Sequence, residues 1–450
     1  MSGSRVLRGR VALFGGGSSI VFAVVTTNIL RIFSSVVLTR LLNSEAYGVV
    51  GIVTSVAFVM AMISDSGITP FVVRHPEGKS QKFLDEVWTI RLIRGCILTI
   101  IMLIAASPIA RLMGKEFLAG AIMAWSFSFL LDGISSLSNV TSVREGQLWR
   151  LSMVELAGNA MTIAATIIAA LLIHSYWAII IGMLTGLFLR VVMSYVFFVG
   201  SLRNFRLSRA RTREIWGFSR NIAFSSILTL LIFQIDKLIL AKMMTLTAFG
   251  LYSIAVALAS APEAIAYPYC SRVLYPAYAA AVREAPQTLR AVYYHSRRWI
   301  SWLYAAGVGG LIGGAHMLVG ILYDPRYLAV APYLQIIAIR VALRLPNIAA
   351  NEAMVAIGQT RAGLMANIAR ALWLILGASI ALWNGNILFM VFVVATDELP
   401  ASLYYWTALR KNGLFRLREE LAYFLAIGIG YVIGAAVFDL ILFLKPIFFG

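Results

Sequence analysis

Long apolar runs alternate along the chain with short polar segments that are rich in arginine. A helix needs about 20 mostly apolar residues to cross the hydrocarbon core of a bilayer. The runs have that length and predict thirteen transmembrane helices, at residues 12–38, 47–72, 83–106, 117–139, 151–173, 176–199, 215–240, 248–270, 298–320, 331–351, 362–382, 386–408 and 420–444. The longest gap between them is too short for a folded extramembrane domain. The pattern predicts an all-α polytopic membrane protein.

The composition excludes the main soluble alternatives. Hydrophobic residues make up 60% of the 450 residues and charged residues only 13%, whereas a soluble domain carries about 25% charged residues. Soluble enzymes, secreted disulfide scaffolds and disordered tails do not fit this balance. The two cysteines, Cys96 and Cys270, lie far apart in apolar runs and are interpreted as packing residues.

The net charge of +18 would suggest nucleic acid in a soluble chain, but here it predicts orientation. Basic residues collect in the cytoplasmic loops of membrane proteins. With a cytoplasmic N-terminus, the predicted inner segments hold 23 basic residues and the outer segments hold 6. The N-terminus is therefore expected in the cytoplasm, and no nucleic-acid partner is expected.

An internal repeat organises the spans into two halves. Leu38–Gly48 aligns without gaps on Leu240–Gly250, at an offset of 202 residues. Six spans, a basic linker and six more spans indicate a duplicated transporter with parallel repeats. The predicted domains are a six-helix lobe at 1–201, a second six-helix lobe at 202–412 and an additional transmembrane helix at 413–450.

Charged residues within the predicted spans are the candidate functional residues, since a charge at bilayer depth is costly and faces the bundle interior or a wet cavity. Arg340, Arg344, Asn347 and Asn351 share one helix face by their spacing. Nearby acids look too few to neutralise the arginines, so we expect a positive cavity for an anionic substrate. Its guanidinium groups suit a diphosphate. The cavity candidates are Arg31, Arg91, Arg94, Arg220, Arg340, Arg344 and Arg370, with the polar residues Asn28, Asn347 and Asn351.

The neutral polar residues have a simpler interpretation as hydrogen-bonding contacts between helices, and we favour it for them. Four carboxylates in the spans are candidates for binding a coupling ion, H⁺ or Na⁺: Asp65, Asp236, Glu263 and Asp397. Plain charge pairing is the alternative role for each of them. Pro262, Pro268 and Pro346 are expected to bend their helices.

Signals for enzymatic activity are poor. The four histidines have no metal-ligand spacing, and no P-loop is present for ATP. Glycine-rich runs at 15–17, 307–314 and 428–434 follow no strand, so they indicate close helix packing or bending. We expect neither an enzyme nor a bound cofactor or metal.

Several segments together resemble the polysaccharide biosynthesis (oligosaccharide flippase) family. Phe233–Ala255 resembles its second-half signature, Leu38–Gly48 and Ile63–Arg74 its first-half signature, and Val273–Pro276 the segment after the eighth helix. The resemblance places the chain in the multidrug/oligosaccharidyl-lipid/polysaccharide exporter superfamily, whose members have twelve or fourteen helices, so thirteen is a departure.

The resemblance implies a flippase that carries undecaprenyl-diphosphate-linked glycan units across the bacterial inner membrane by alternating access. From the pattern of charged and polar residues alone, Arg31 and the other cavity arginines would hold the diphosphate, and Asn28, Asn347 and Asn351 would contact the glycan. The implied partners are the lipid bilayer and, as candidates, a polysaccharide polymerase and export machinery. The pathway would be exopolysaccharide, capsule or O-antigen biosynthesis.

Three alternatives remain open. A multidrug exporter of the same superfamily would transport organic cations and favour an acidic, aromatic cavity. An integral-membrane glycosyltransferase or polymerase would need catalytic acids on a long outer loop, and no predicted outer loop exceeds about a dozen residues. A scaffold for a biosynthetic complex is excluded by nothing in the sequence.

Overall fold

The computed structural model describes residues 26–64, 67–68, 71–72, 75–145, 148–198, 202–217 and 234–449. These residues form helices and short connections, and no strand occurs among them. The chain divides into two compact units, Met1–Lys242 and Met243–Gly450. The observed division falls within the second copy of the repeat, whereas the predicted lobes meet after residue 201. The all-α fold class is confirmed, and the six-plus-six domain division stays a prediction.

The N-terminal unit is built of long helices joined by short turns. Its helices are α1 (26–41), α2 (Ser44–Ile63), α3 (Gln81–Leu112), α4 (Leu118–Ile134), α5 (Ser138–Glu145), α6 (Leu148–Ile173), α7 (Tyr176–Val196), α8 (209–217) and α9 (Ile235–Met243), which ends at the unit boundary.

The C-terminal unit contains the remaining helices, and its helices are interrupted more often than those of the N-terminal unit. Its helices are α10 (Leu246–Ala259), α11 (Glu263–Tyr269), α12 (Tyr275–Glu284), α13 (Leu289–Gly313), α14 (Ala315–Leu322), α15 (Val330–Ala356), α16 (Arg361–Asn384), α17 (Ile387–Ala395), α18 (Glu398–Lys411) and α19 (Leu417–Phe449).

The helices fall where the hydropathy pattern predicts spans. Among the described residues, 8 helices or helix pairs are long and apolar enough to cross a membrane, and a bent pair, Pro286–Gly313 with Ala315–Leu322, would bring the number to 9. Predicted spans four and eight correspond to the shorter apolar helices α4 and α10. The first and seventh predicted spans lie partly outside the described residues. The chain is thus a multi-pass membrane protein.

Proline and glycine interrupt several spans. The eighth predicted span breaks after Ala259; α11 begins after Pro262, contains Pro268 and continues into a π-helical turn at Cys270–Leu274. Helices α13 and α14 meet at an angle of 75°. In contrast, α15 continues without a break through Pro346. The chain is therefore interrupted at Pro262 and stays helical through Pro346, where the expected bend remains a prediction.

The internal repeat has a local structural counterpart in each unit. Asn43 precedes α2, and its side-chain oxygen accepts a hydrogen bond from the N–H of Ala46 at 3.2 Å. Thr245 precedes α10 and accepts from the N–H of Ala248, also at 3.2 Å. The two caps lie 202 residues apart, so both copies of the repeat start a helix at the same position and by the same N-cap mechanism.

Small residues allow α13 and α19 to pack closely. A Cβ atom at Gly309 would lie 2.1 Å from the carbonyl oxygen of Ile427, and one at Gly430 would lie 2.1 Å from that of Ala306. Helices in membranes associate largely through such close backbone approach. The prediction of close packing for the runs 307–314 and 428–434 is confirmed; residues 15–17 lie outside the described residues. The predicted thirteenth helix is thus an integral part of the C-terminal unit.

Candidate functional site

The predicted polar stripe of the tenth span lies near the middle of α15. Arg344 is 14 residues from the first residue of this helix and 12 from the last, so in a spanning helix it lies close to the bilayer centre. Its guanidinium donates a hydrogen bond to Glu398 and lies 3.5 Å from the carboxylate of Glu263. Only 15% of the Arg344 side chain is exposed. One turn earlier, Arg340 lies 3.2 Å from the carboxylate of Asp397.

Glu398 is the centre of this arrangement. It is completely buried at the first residue of α18, where a helix N-terminus favours negative charge. Besides Arg344, it accepts hydrogen bonds from Arg370 at 2.6 Å and from the amide of Asn347 at 2.7 Å. A buried carboxylate is costly unless it is paired and its oxygens are hydrogen-bonded, and these three donors meet that requirement. We call Glu263, Arg340, Arg344, Arg370, Asp397 and Glu398 the charge cluster.

The neutral members of the stripe connect helices within the unit. Asn347 is 2% exposed, donates to Glu398 and lies 2.9 Å from the hydroxyl of Ser402. Asn351 accepts a hydrogen bond from Tyr405 on α18 at 3.2 Å. Both asparagines therefore act in this conformation as interhelical contacts, the interpretation favoured from sequence.

The expectation that acids are too few to neutralise the arginines is wrong for the charge cluster. Arg340, Arg344 and Arg370 contact three carboxylates, so the cluster carries no formal excess charge. The reason is convergence: Glu263 and Glu398 are 135 residues apart in sequence, yet both reach Arg344. Glu398 is not among the residues predicted for the site, although its position beside Asp397 and within a span is an available signal.

The N-terminal candidates have separate partners. Arg91 on α3 pairs with Asp132 on α4 at 2.7 Å. Arg94 donates to the carbonyl oxygens of Ser64 and Ala61 at 2.7 and 3.1 Å, which satisfies the C-terminal carbonyls of α2. Arg94 is therefore a helix-capping residue in this structure, and the cavity role predicted for it stays a prediction.

The other candidates are dispersed. On α1, Arg31 is exposed and Asn28 is half-buried. Asp236 is 1% exposed at the start of α9, where its carboxylate accepts from the N–H of Lys237 at 2.8 Å. Arg220 and Asp65 lie outside the described residues. Among the described candidates, those of the C-terminal unit include the connected charge cluster, and Asn28, Arg31 and Asp236 belong to the N-terminal unit.

A second buried charge pair is one that the sequence pattern does not reveal. The pattern places Arg297 in an inner loop, but it is 5% exposed on α13 and hydrogen-bonds to Glu420, 3% exposed on α19. The guanidinium carbon lies 4.4 Å from the ring centre of Tyr293 and 4.8 Å from that of Tyr294. This pair fixes the beginning of the thirteenth helix against the ninth span.

The fold is that of known membrane transporters. The chain is similar to the lipid II flippase MurJ in an inward closed conformation, with a TM-score of 0.69 at 13% identity over 95% of this chain and 99% of that chain. It is also similar to an inward-facing multidrug resistance MATE family transporter of the MOP superfamily, with a TM-score of 0.65 at 14% identity over 86% of this chain and 95% of that one. At these identities the likeness establishes a shared fold.

Sequence comparison then gives the family. The model for the family described as "Polysaccharide biosynthesis protein" matches residues 37–332. The chain belongs to this polysaccharide biosynthesis protein family, as the resemblance of its motifs indicated.

Curated relatives carry related names. The chain is 23% identical to an uncharacterized membrane protein in the cps region of Klebsiella pneumoniae, over 71% of this chain and 66% of the relative. It is 21% identical to the succinoglycan biosynthesis transport protein ExoT of Rhizobium meliloti, over 69% of this chain. It is 20% identical to the lipopolysaccharide biosynthesis protein WzxC of Escherichia coli, over 68% of this chain. The matched region spans 62 to 66% of the length of these relatives.

Proposed function

We propose that the protein is a secondary transporter that flips undecaprenyl-diphosphate-linked oligosaccharide units across the bacterial inner membrane by alternating access. The family, the transporter fold, the name of ExoT as a succinoglycan biosynthesis transport protein and the name of WzxC as a lipopolysaccharide biosynthesis protein support this proposal. The product would enter exopolysaccharide, capsule or O-antigen biosynthesis. The arginine distribution favours a cytoplasmic N-terminus. The proposed direction, from the cytoplasmic to the outer leaflet, is the one that the family resemblance implies.

One observation carries the substrate assignment: Arg344 is a mid-span guanidinium that bridges two carboxylates of unequal accessibility. Glu398 is fully buried, whereas the Glu263 side chain is 27% exposed. Arg344 is itself 15% exposed, so an anionic group can approach it from the side of Glu263. The fork of N–H donors on arginine matches the oxygens of a diphosphate.

Binding would then proceed by exchange of partners. The diphosphate replaces Glu263 as the second anion on Arg344, while Glu398 keeps its hydrogen bonds to Arg370 and Asn347. No buried carboxylate is left without a cation in this exchange, which avoids the main cost of breaking a buried ion pair. The glycan would extend away from the diphosphate along the transport path.

Coupling to H⁺ or Na⁺ fits the same exchange. Glu263, released from Arg344 by the substrate, becomes an accessible carboxylate that can take up a cation. Asp397 is held by Arg340, and Asp236 is buried on another helix. Among the described candidates, Glu263 therefore has the strongest claim to the coupling role, and Asp65 remains a sequence-based candidate.

A multidrug exporter is the second candidate function, and the fold and the charge of the site are both compatible with it. The MATE transporter fold matches the chain nearly as well as the flippase fold. The charge cluster is also formally neutral, so it does not by itself exclude a cationic substrate.

Deletion of the gene separates the two functions. A flippase deletion should reduce surface polysaccharide and cause glycan-loaded undecaprenyl diphosphate to accumulate, and expression of this chain should reverse both effects. Resistance to organic cations such as ethidium should not change. Unchanged carrier-lipid pools together with increased ethidium sensitivity would contradict the flippase proposal and support the multidrug exporter.

A further inference from the structure

The basic segment that follows α7, residues 202–217, is attached to the N-terminal unit. The side chain of Gln81, at the start of α3, donates to the carbonyl oxygen of Leu202 at 2.8 Å. The backbone N–H of Arg206 donates to the hydroxyl of Thr89 at 2.9 Å. Phe205 makes an edge contact with the ring of Trp88 at 5.3 Å between centroids. The segment therefore has a defined position beside the first turns of a spanning helix.

Two of the five arginines in this segment contact other side chains of the protein. Arg203 donates to the side chain of Gln81 at 3.0 Å. Arg211 forms ion pairs with Glu77 at 2.6 Å, Glu86 at 3.2 Å and Glu214 at 2.5 Å. Burial lowers the pKa of Arg211, but the hydrogen bond to Glu86 and the charges of Glu214 and Glu77 outweigh it and raise the pKa above its usual value. These two guanidiniums are structural.

The remaining three arginines are exposed. The side chains of Arg206, Arg209 and Arg213 make no hydrogen bond or ion pair with the described residues. They lie among apolar side chains that are also exposed: Leu202, Phe205, Leu207 and Trp216 are between 64 and 77% exposed. We call these seven side chains the linker surface.

We propose that the linker surface binds the headgroups of anionic phospholipids. Basic residues beside spanning helices are attracted to anionic lipid, and apolar or aromatic side chains between them insert at the level of the headgroups. The segment leaves α7 at the end of a span and returns toward the predicted seventh span, so it lies at the bilayer edge. An exposed apolar set in that position fits a lipid surface better than an acidic protein.

Native mass spectrometry of the full-length protein in detergent tests this directly. Phosphatidylglycerol and phosphatidylcholine compete for binding, and the ratio of their affinities is measured. The wild-type chain should prefer phosphatidylglycerol. The variant R206Q/R209Q/R213Q should lower the preference by at least about tenfold, since each basic residue near an anionic surface contributes about a fivefold effect.

Two matched variants control for charge and folding. R272Q/R283Q/R361Q removes three exposed arginines elsewhere and should keep the preference. R206K/R209K/R213K keeps the charge and should also keep it. The proposal is overturned if the glutamine triple variant retains the wild-type preference. It is equally overturned if the wild-type chain shows no preference for phosphatidylglycerol. Binding of a poly-glutamate peptide through the same arginines would then show that the surface serves an acidic protein.

Discussion

Tyr423 on the thirteenth helix donates a hydrogen bond to the backbone carbonyl oxygen of Ala342 on α15. That carbonyl is four residues before Pro346, which has no N–H to donate. The tyrosine hydroxyl therefore replaces the helix hydrogen bond that the proline removes. Because Arg340 and Arg344 flank Ala342, this contact supports the part of α15 that presents the charge cluster.

A double-mutant cycle tests this relationship. Tyr423→Phe should destabilise the protein by about 1 kcal/mol, since it leaves a buried carbonyl without its donor. The same change in a Pro346→Ala background should cost less, because the introduced alanine would supply a backbone N–H to the carbonyl. The measurement is thermal unfolding of the purified protein in detergent. Equal losses in both backgrounds would show that the hydroxyl does not compensate for the proline.

The packing of α13 on α19 gives a prediction with internal controls. Gly430→Ala would place a Cβ atom 2.1 Å from a backbone oxygen of Ala306, and overpacking of this kind costs about 1–3 kcal/mol. Gly428→Ala, two residues earlier on α19, would meet no atom within 4 Å and should be neutral or slightly stabilising. The unfolding temperature should therefore fall in Gly430→Ala and stay the same or rise slightly in Gly428→Ala. Similar values for both would contradict the close contact.

The buried pair of Arg297 and Glu420 predicts strong non-additivity. Arg297→Met leaves the buried carboxylate of Glu420 without its cation, which costs about 3–5 kcal/mol. Adding Glu420→Gln removes the uncompensated charge and should recover much of that loss. Expression level and unfolding temperature report the effect. A double variant as unstable as the single one would mean that packing, and not charge, dominates at this position.

The N-caps of the two repeat copies should contribute equally to the stability of the protein. Asn43→Ala and Thr245→Ala each remove a side-chain acceptor for a helix N–H, at a cost of about 1 kcal/mol. Asn43→Ser and Thr245→Ser retain the acceptor and should have small effects. The comparison is again by thermal unfolding. A loss at only one of the two sites would show that the repeat is kept in sequence but has lost its role in one unit.

The hydropathy pattern located the helices well because a span must be apolar along its whole length, a constraint visible in one dimension. It did not predict where helices are interrupted. Pro262 coincides with a break, whereas α15 continues through Pro346, and Tyr423 donates to the carbonyl oxygen that lacks a helix N–H there. That donor lies 77 residues further along the chain than Pro346, and local patterning cannot reveal it.

In the candidate site, too, the sequence revealed the local arrangement and not the distant partners. The spacing of Arg344, Asn347 and Asn351 placed them on one helix face, and all three contact α18. Helical spacing does not tell which distant acids that face meets. The convergence of Glu263 and Glu398 on Arg344 is a tertiary property, so the sequence suggested an excess of positive charge that the charge cluster does not have.

The exchange of partners on Arg344 predicts a variant that folds but does not transport. Arg344→Gln together with Glu263→Gln removes one charge of each sign, so the cluster stays neutral and Glu398 keeps its ion pair with Arg370. Arg344→Gln alone should weaken substrate binding by about tenfold to a hundredfold, the loss of hydrogen bonds to a charged group. Arg361→Gln, an exposed position at the start of α16, is the matched control and should behave as wild type.

The most direct test is a flipping assay in proteoliposomes with lipid-linked oligosaccharide extracted from the deletion strain. The fraction of glycan that becomes accessible to an external glycosidase is followed over time. The wild-type chain and R361Q should move the glycan lipid, while R344Q/E263Q, with an unfolding temperature close to wild type, should be reduced to the rate of empty vesicles. Wild-type flipping by R344Q/E263Q would contradict the assignment of Arg344 as the residue that holds the diphosphate.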